Sequence, residues 1–152
     1  MAKMTSTGVT LGVVADVPAT FDDTGYSALT FVDVGALVDL PEYGPSAAVV
    51  ESNPLATGIV EKFKGFINNG SLSLGLEIDF EDAGQSIFET AVTGATQNDQ
   101  HSFQITYPDG TTEYFTGKIF SYTRATGSAN SMIGSTVQVE IDTAIVRVAP
   151  TP

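Results

Sequence analysis

Residues 71–94 confine this chain to a narrow set of folds. From Leu72 the apolar side chains fall on alternate positions, Leu72, Leu74, Leu76, Ile78 and Phe80, with Ser73, Gly75, Glu77 and Asp79 between them. Alternation of this kind belongs to a half-buried strand with one oily and one wet face. The period then changes. Ile87, Phe88, Ala91 and Val92 are spaced for one face of a helix, with Glu89 and Thr90 turned away. Asp79, Glu81 and Asp82 put negative charge where the unpaired N–H groups of a helix start favour it. Gly94 is the expected stop, so the helix is predicted over about residues 81–94. A lone amphipathic helix must lay its stripe on a sheet, and the rest of the chain reads as strands for that sheet.

Those strands come in order. Thr10-Leu11-Gly12-Val13-Val14 is the first, and residues 16–25 form a loop carrying Pro18, Asp22, Asp23 and Gly25. Leu29-Thr30-Phe31-Val32 and Val34-Gly35-Ala36-Leu37-Val38 are short strands. Residues 39–58 read as a long loop with little regular structure, although residues 47–51 are extended. Loops of that length are usually functional or mobile. Residues 59–67 are a strand, and Asn68-Asn69-Gly70 is a tight-turn signal that predicts a hairpin between it and residues 72–80. Phe103, Ile105 and Tyr107 alternate with Ser102, Gln104 and Thr106, and Pro108-Asp109-Gly110 turns that strand back into residues 111–123. The last strand is predicted over residues 135–148. There Val137, Val139 and Ile141 oppose Gln138, Glu140 and Asp142, with a bulge or two covered faces near Ala144-Ile145-Val146.

The expected fold is mainly β: an antiparallel β-sandwich or barrel with one flanking α-helix, in one domain spanning residues 1–152 after a flexible arm of about residues 1–8. A domain of this size buries roughly 68–70% of its unfolded surface without a staple. No cysteine is present, so thiol nucleophiles, thiolate metal sites and disulfides are excluded. The start lacks the apolar core of a signal peptide, and no apolar run approaches the ~20 residues of a membrane span. No membrane insertion is expected.

The charge balance is 18 acidic against 6 basic residues, net −12. Such a surface serves solubility, or it belongs to a protein that works beside nucleic acid and must not adhere to it. Motifs for catalysis are missing. His101 is the only histidine, and no nucleophile-elbow spacing accompanies it. Asp16, Asp22 and Asp23 lack the regular oxygen-ligand loop of a calcium site. No glycine pattern cradles phosphate, and Lys62 and Lys64 do not make a nucleic-acid footprint. The aromatic residues of 103–122 alternate as packing residues do. The expectation is a protein that is not an enzyme, with no metal and no cofactor. Long strands with polar rows on one face would leave open edges in a lone domain, and assembly that continues the sheet would cover them.

Three runs carry a resemblance. Val17-Pro18-Ala19-Thr20-Phe21-Asp22 with Gly25-Tyr26, Leu29-Thr30-Phe31, Val34-Gly35 and Leu40-Pro41-Glu42-Tyr43-Gly44 is the first. Tyr107-Pro108-Asp109-Gly110-Thr111-Thr112-Glu113-Tyr114-Phe115-Thr116-Gly117 and Thr136-Val137-Gln138-Val139-Glu140-Ile141-Asp142 are the others. In order and spacing the chain resembles the major tail tube proteins of long flexible-tailed, siphovirus-type bacteriophages. The resemblance implies a tail-tube fold, shared with the tube protein of contractile injection machines. It implies hexameric rings whose inner strands join into one barrel, stacked into a tube that conducts DNA during ejection. Tail tip, tape measure and tail terminator proteins would be its partners, in a virion tail made in a bacterial cytoplasm. Some relatives continue into an immunoglobulin-like domain; ending at Pro152, this chain is expected to present a plain outer wall.

Within that expectation Glu77, Asp79, Glu140 and Asp142 are the candidate lumen-facing acids, with ordinary outer surface as the alternative. Glu42, Tyr43, Glu51, Asn53 and Leu55 mark the candidate ring-stacking loop. A tube subunit of a gene transfer agent or of a contractile or secretion apparatus is the nearest alternative function. A monomeric carbohydrate- or receptor-binding β module is the alternative from another class.

Overall fold

A computed structural model describes residues 3–93 and 100–150. Strand β1 (Thr10–Val14) leads to a short helix α1 (Asp23–Ser27), then β2 (Val32–Asp33), β3 (Leu37–Asp39), β4 (Ser46–Ser52), β5 (Glu61–Asn68) and β6 (Ser71–Glu77). Helix α2 (Ala83–Thr93) follows, then β7 (His101–Thr106), β8 (Thr112–Ala125), β9 (Gly134–Ile141) and β10 (Val146–Val148). The main sheet runs β2-β1-β7-β8-β9-β6-β3 with every pairing antiparallel, and β10 also lies on β8. Strands β4 and β5 form a separate two-stranded ribbon.

Strand β8 joins the two halves of the main sheet. Its first residues pair with β7 on one side and β10 on the other, and from Gly117 onward it pairs with β9. A bulge at Phe120 interrupts the β8–β9 register between Ile119 and Ser121, and bulges bend the strand that carries them. The curled sheet closes over Leu11, Val13, Leu72, Leu74, Leu76, Phe103, Ile105, Phe115, Val137 and Val139. Helix α2 adds Phe88 and Ala91 to that core, with Ile87 and Val92 partly buried against it, as the helical spacing predicts. Phe88, Phe103 and Phe115 stack in sequence, with ring centroids 6.5 and 5.1 Å apart. The Arg124–Glu89 ion pair, 3.1 Å long, ties the helix to β8 from outside.

The helix start is built from Asp82 and Gln85. Asp82 Oδ2 accepts from the backbone N–H groups of Gln85 and Gly35, at 2.9 and 3.1 Å. Gln85, 2% exposed, donates from Nε2 to the carbonyls of Gly35 and Glu77 and accepts the Asp79 N–H at Oε1. One buried amide thus joins the helix, the end of β6 and the chain before β3. The predicted acidic residues do precede the helix, and Asp82 is the one that caps it. Gly94, the expected stop, lies outside the described residues.

Several expectations are corrected. Residues 59–67 and 72–80 do not form a hairpin: β5 pairs with β4, while β6 pairs with β9 and β3. Gly70, at φ 90°, does turn the chain, but it turns it out of one sheet and into another. Residues 47–51 are extended as expected, within β4, so residues 39–58 hold more regular structure than the long loop predicted there. The alternation of residues 72–80 ends as a strand at Glu77, leaving Phe80 71% exposed. The two short strands predicted over residues 29–38 shrink to β2 and β3. The last strand breaks after Ile141 and resumes as β10 farther along β8, where Thr143 Oγ1 accepts the Thr116 N–H at 3.0 Å.

Helix α1 lies in the segment predicted to be a loop. Asp22 caps it, accepting from the Gly25 N–H at 2.8 Å. A β-carbon at Gly25 would meet the Thr20 carbonyl oxygen at 1.9 Å, so glycine is required there. The turn exists to bury Tyr26, which stacks on Tyr114 at 5.3 Å and meets Thr116 Oγ1 at 2.9 Å, covering the outer face of β8.

Candidate functional site

Two surfaces carry the functional candidates. The first is the outer face of the β3, β6, β9 and second-half β8 quarter of the sheet. Directly opposed residues of an antiparallel pair project to the same side. Leu72, Leu74 and Leu76 face the core with Val139, Val137 and Ser135. The opposite side therefore presents Ser71, Ser73, Gly75 and Glu77 beside Glu140, Gln138, Thr136 and Gly134. Strand β8 adds Lys118, Ser121 and Thr123 in the same rows. This face is rich in hydroxyls. Phe120, on the bulge and 59% exposed, is the aromatic beside it.

The four candidate acids divide. Glu77 and Glu140 stand on this face at opposite ends, because Glu77 pairs with Gly134 and Glu140 with Ser71. Six residues of strand separate them, about 20 Å. Lys118 faces Glu140 in the register, and Asp39, opposite Gly75, adds a further carboxylate near the Glu77 end. Asp79 lies past the strand in the turn before α2, where Oδ1 accepts the Glu81 N–H at 3.0 Å. Asp142 lies just past β9 and accepts from Gln100 Nε2 at 3.1 Å. Asp39 was missed because its segment was assigned to the loop. Its place on the face depends on the β3–β6 pairing, which no local pattern signals.

This quarter of the sheet also has two open edges. Beyond Gly117, β8 has no partner on its β7 side among the described residues, and β3 pairs only with β6. Open edges present unpaired N–H and C=O groups to any strand that can lie beside them.

The second surface is the β4–β5 ribbon. Val50 opposes Phe63 on one side; Val49 opposes Lys64 and Glu51 opposes Lys62 on the other. Every residue of both strands is exposed except the half-buried Gly65. Phe66 is 94% exposed and Leu55, at the tip, 100%. Large apolar side chains grouped this way mark a contact surface. The stacking-loop candidates separate accordingly: Glu51 is in β4, and Asn53 and Leu55 are at the tip. Glu42 and Tyr43 belong to the root.

At the root, the Tyr43 and Tyr107 hydroxyls meet each other and both donate to Glu113 Oε1. Burial, reinforced by Glu113, pushes the Tyr43 hydroxyl far above the usual tyrosine range and raises that of Tyr107. His101 is buried at the first position of β7. Among the described residues no group of three or more His, Asp or Glu side chains is placed to hold a metal, and no helix is long and apolar enough to cross a membrane.

No protein-family model and no curated protein matches the chain. Solved structures do. A chain from the tail of an empty gene transfer agent particle with C6 symmetry aligns over 97% of this chain and 100% of its own, at 16% identity and TM-score 0.68. A chain from the baseplate of the anti-feeding prophage, 6-fold symmetrised, aligns over 100% and 99%, at 9% identity and TM-score 0.67. The SPP1 tail tube aligns over 95% and 78%, at 12% identity and TM-score 0.62. The curled antiparallel sheet with its flanking helix is therefore a tail-tube fold, as the resemblance implies.

Proposed function

We propose that this chain is a structural tail-tube subunit whose rings stack into a conduit for DNA. The observation that carries this reading is the β3–β6–β9–β8 quarter, polar on one face and open at both edges. Pairing the β8 edge of one copy with the β3 edge of the next continues the sheet, and closing the circle removes both of these open edges. The 6-fold symmetry of the similar assemblies supports a hexameric ring. Its bore would be lined by Ser71, Ser73, Thr136 and Gln138, with Glu77 and Asp39 toward one rim and Glu140 toward the other. Hydroxyls and carboxylates, with the cation Lys118 set opposite Glu140, offer phosphate no tight site, so DNA passes without sticking. Asp79 and Asp142 then belong to the ring faces.

The β4–β5 ribbon, with Glu51, Asn53 and Leu55, is the stacking element that docks on a copy in the next ring. Tail tip, tape measure and tail terminator proteins are the further partners of such a tube, in a virion or gene-transfer particle. No catalytic step is assigned to the chain.

Negative-stain electron microscopy of the purified chain, with light scattering for its mass, tests the reading. Tubes or stacked rings with an open bore are expected. A chain that stays monomeric at high concentration, and is not converted to tubes by a tail-tip preparation, would overturn it. Replacing Glu77 with lysine should leave tubes intact and impair DNA ejection in assembled particles.

A further inference from the structure

The ribbon shares no sheet with the rest of the molecule and connects to it through two chain crossings, Tyr43-Gly44-Pro45 and Asn68-Asn69-Gly70. Each crossing contains one glycine at positive φ, Gly44 at 139° and Gly70 at 90°. The two lie against each other: a β-carbon at Gly70 would meet the Gly44 carbonyl oxygen at 2.8 Å. On the body side, the Gly70 carbonyl accepts the Ile141 N–H at 3.0 Å. On the ribbon side, its N–H donates to Asn68 Oδ1 at 2.9 Å. The first ribbon pair, Ser46 with Asn68, lies immediately beyond.

Two clefts lie against this joint. A cleft of about 920 Å³ is lined by Pro41, Tyr43, Ile67, Tyr107, Ile145 and Arg147. A second, of about 420 Å³, lies against Glu42, Gly44, Ser46 and Ser71. Glycine rotates through backbone regions closed to other residues, and the ribbon contributes no side chain to the buried core. Turning it about Gly44 and Gly70 therefore breaks no rung of either sheet. Tyr43, one residue before Gly44, lies on the body side of the joint and does not turn with the ribbon. Its hydroxyl bonds Glu113 and Tyr107, and its ring packs on Phe115 at 6.1 Å.

We propose that Gly44 and Gly70 form a paired hinge for the ribbon, and that the Tyr43–Glu113–Tyr107 cluster anchors the body end of that hinge. The use of this device in assembly rests on the tube reading: the receiving copy selects the angle at which the ribbon is held. The device itself is a property of one chain and is tested as such.

The absence of cysteine allows two spin labels to be placed without background, by Leu55→Cys at the tip and Ser86→Cys on α2. Interspin distances are measured by double electron–electron resonance. Where the protein assembles, labelled chains are diluted with excess unlabelled chain. Tyr43→Phe, which keeps the ring and removes the hydroxyl, should roughly double the width of the distance distribution. Gly70→Ala should move its mean, because the hinge must open to admit the methyl group. Glu113→Ala serves as a second anchor variant, and amide exchange in β6 and β9 confirms that each body is folded. An unchanged width in both anchor variants overturns the anchor, and an unchanged mean in Gly70→Ala overturns the hinge. Either result leaves the tube reading standing. Failure of wild-type chains to form tubes would count against that reading alone.

Discussion

The curled sheet and the β4–β5 ribbon are made of the same materials used in opposite ways. Both contain antiparallel strands rich in valine, isoleucine and phenylalanine. Beneath the sheet, Phe88 of α2 and Phe103 and Phe115 of the strands are fully buried and stack in sequence. In the ribbon, Phe63 and Phe66 are open to solvent. A two-stranded ribbon is marginal in isolation because it has no second layer to bury its faces. Oily side chains retained there add little to the stability of one chain, and in the proposed tube they serve contact between chains. The comparison separates stability from assembly within one molecule, and each can be perturbed without the other.

The largest effect belongs to the core. Phe88→Ala should lower the unfolding free energy by about 3–5 kcal/mol, since it removes the ring that α2 sets on Phe103 and leaves a cavity. Urea denaturation measures this, and a loss below 1 kcal/mol would show that the helix is not integral to the core. Gln85→Ala comes next, at about 1–3 kcal/mol, because the Gly35 and Glu77 carbonyls and the Asp79 N–H lose their buried partner.

Alkaline pH gives a graded loss at the junction between the two regions. The Tyr43 and Tyr107 hydroxyls are raised in the folded chain, chiefly by burial and by Glu113. A raised folded value stabilises fully below the unfolded tyrosine value of about 10, and the contribution is lost as pH rises above it. Melting temperature should therefore fall above about pH 10, and fall less steeply in Tyr43→Phe. Equal slopes would show that the root cluster does not hold these protons.

The smallest effect on folding is expected in the ribbon. Phe63→Ser and Phe66→Ser should each change stability by no more than about 0.5 kcal/mol yet abolish tube formation in electron micrographs. A large loss of stability would mean that the ribbon belongs to the fold of the single chain after all. Normal tubes would remove it from the stacking contact.

What the sequence made legible was local. The β7–β8 hairpin follows from alternation on both arms and from Pro108-Asp109-Gly110 between them, and the structure pairs Phe103 with Phe115 and Thr106 with Thr112. The face of α2 follows from the spacing of Ile87, Phe88, Ala91 and Val92. Turn chemistry at Asn68-Asn69-Gly70 marks the turn that is found there, but not the hairpin expected from it. A glycine at positive φ reverses the chain but does not choose the partner of the strand that follows. Gln85 was invisible for a related reason: nothing in an amphipathic pattern announces that one polar residue will be buried to satisfy three backbone groups. Of the candidate acids, Glu77 and Glu140 were readable from alternation. Asp39 was not, since its position depends on a strand brought from 36 residues away in the register Asp39 with Gly75.

By itself, the sequence determined the period of each element, the acidic balance, the absence of thiols and the places where the backbone must bend. These depend on neighbours within a few residues, where steric and hydrogen-bonding preferences act directly. The tertiary structure decided which strands share a sheet, which edges stay open and which apolar side chains remain in water. Those are outcomes of competition between distant segments for one another's hydrogen bonds and buried surface. In β5 and β6 that competition sent two adjacent strands with similar local signals to different sheets, one into the core and one into solvent.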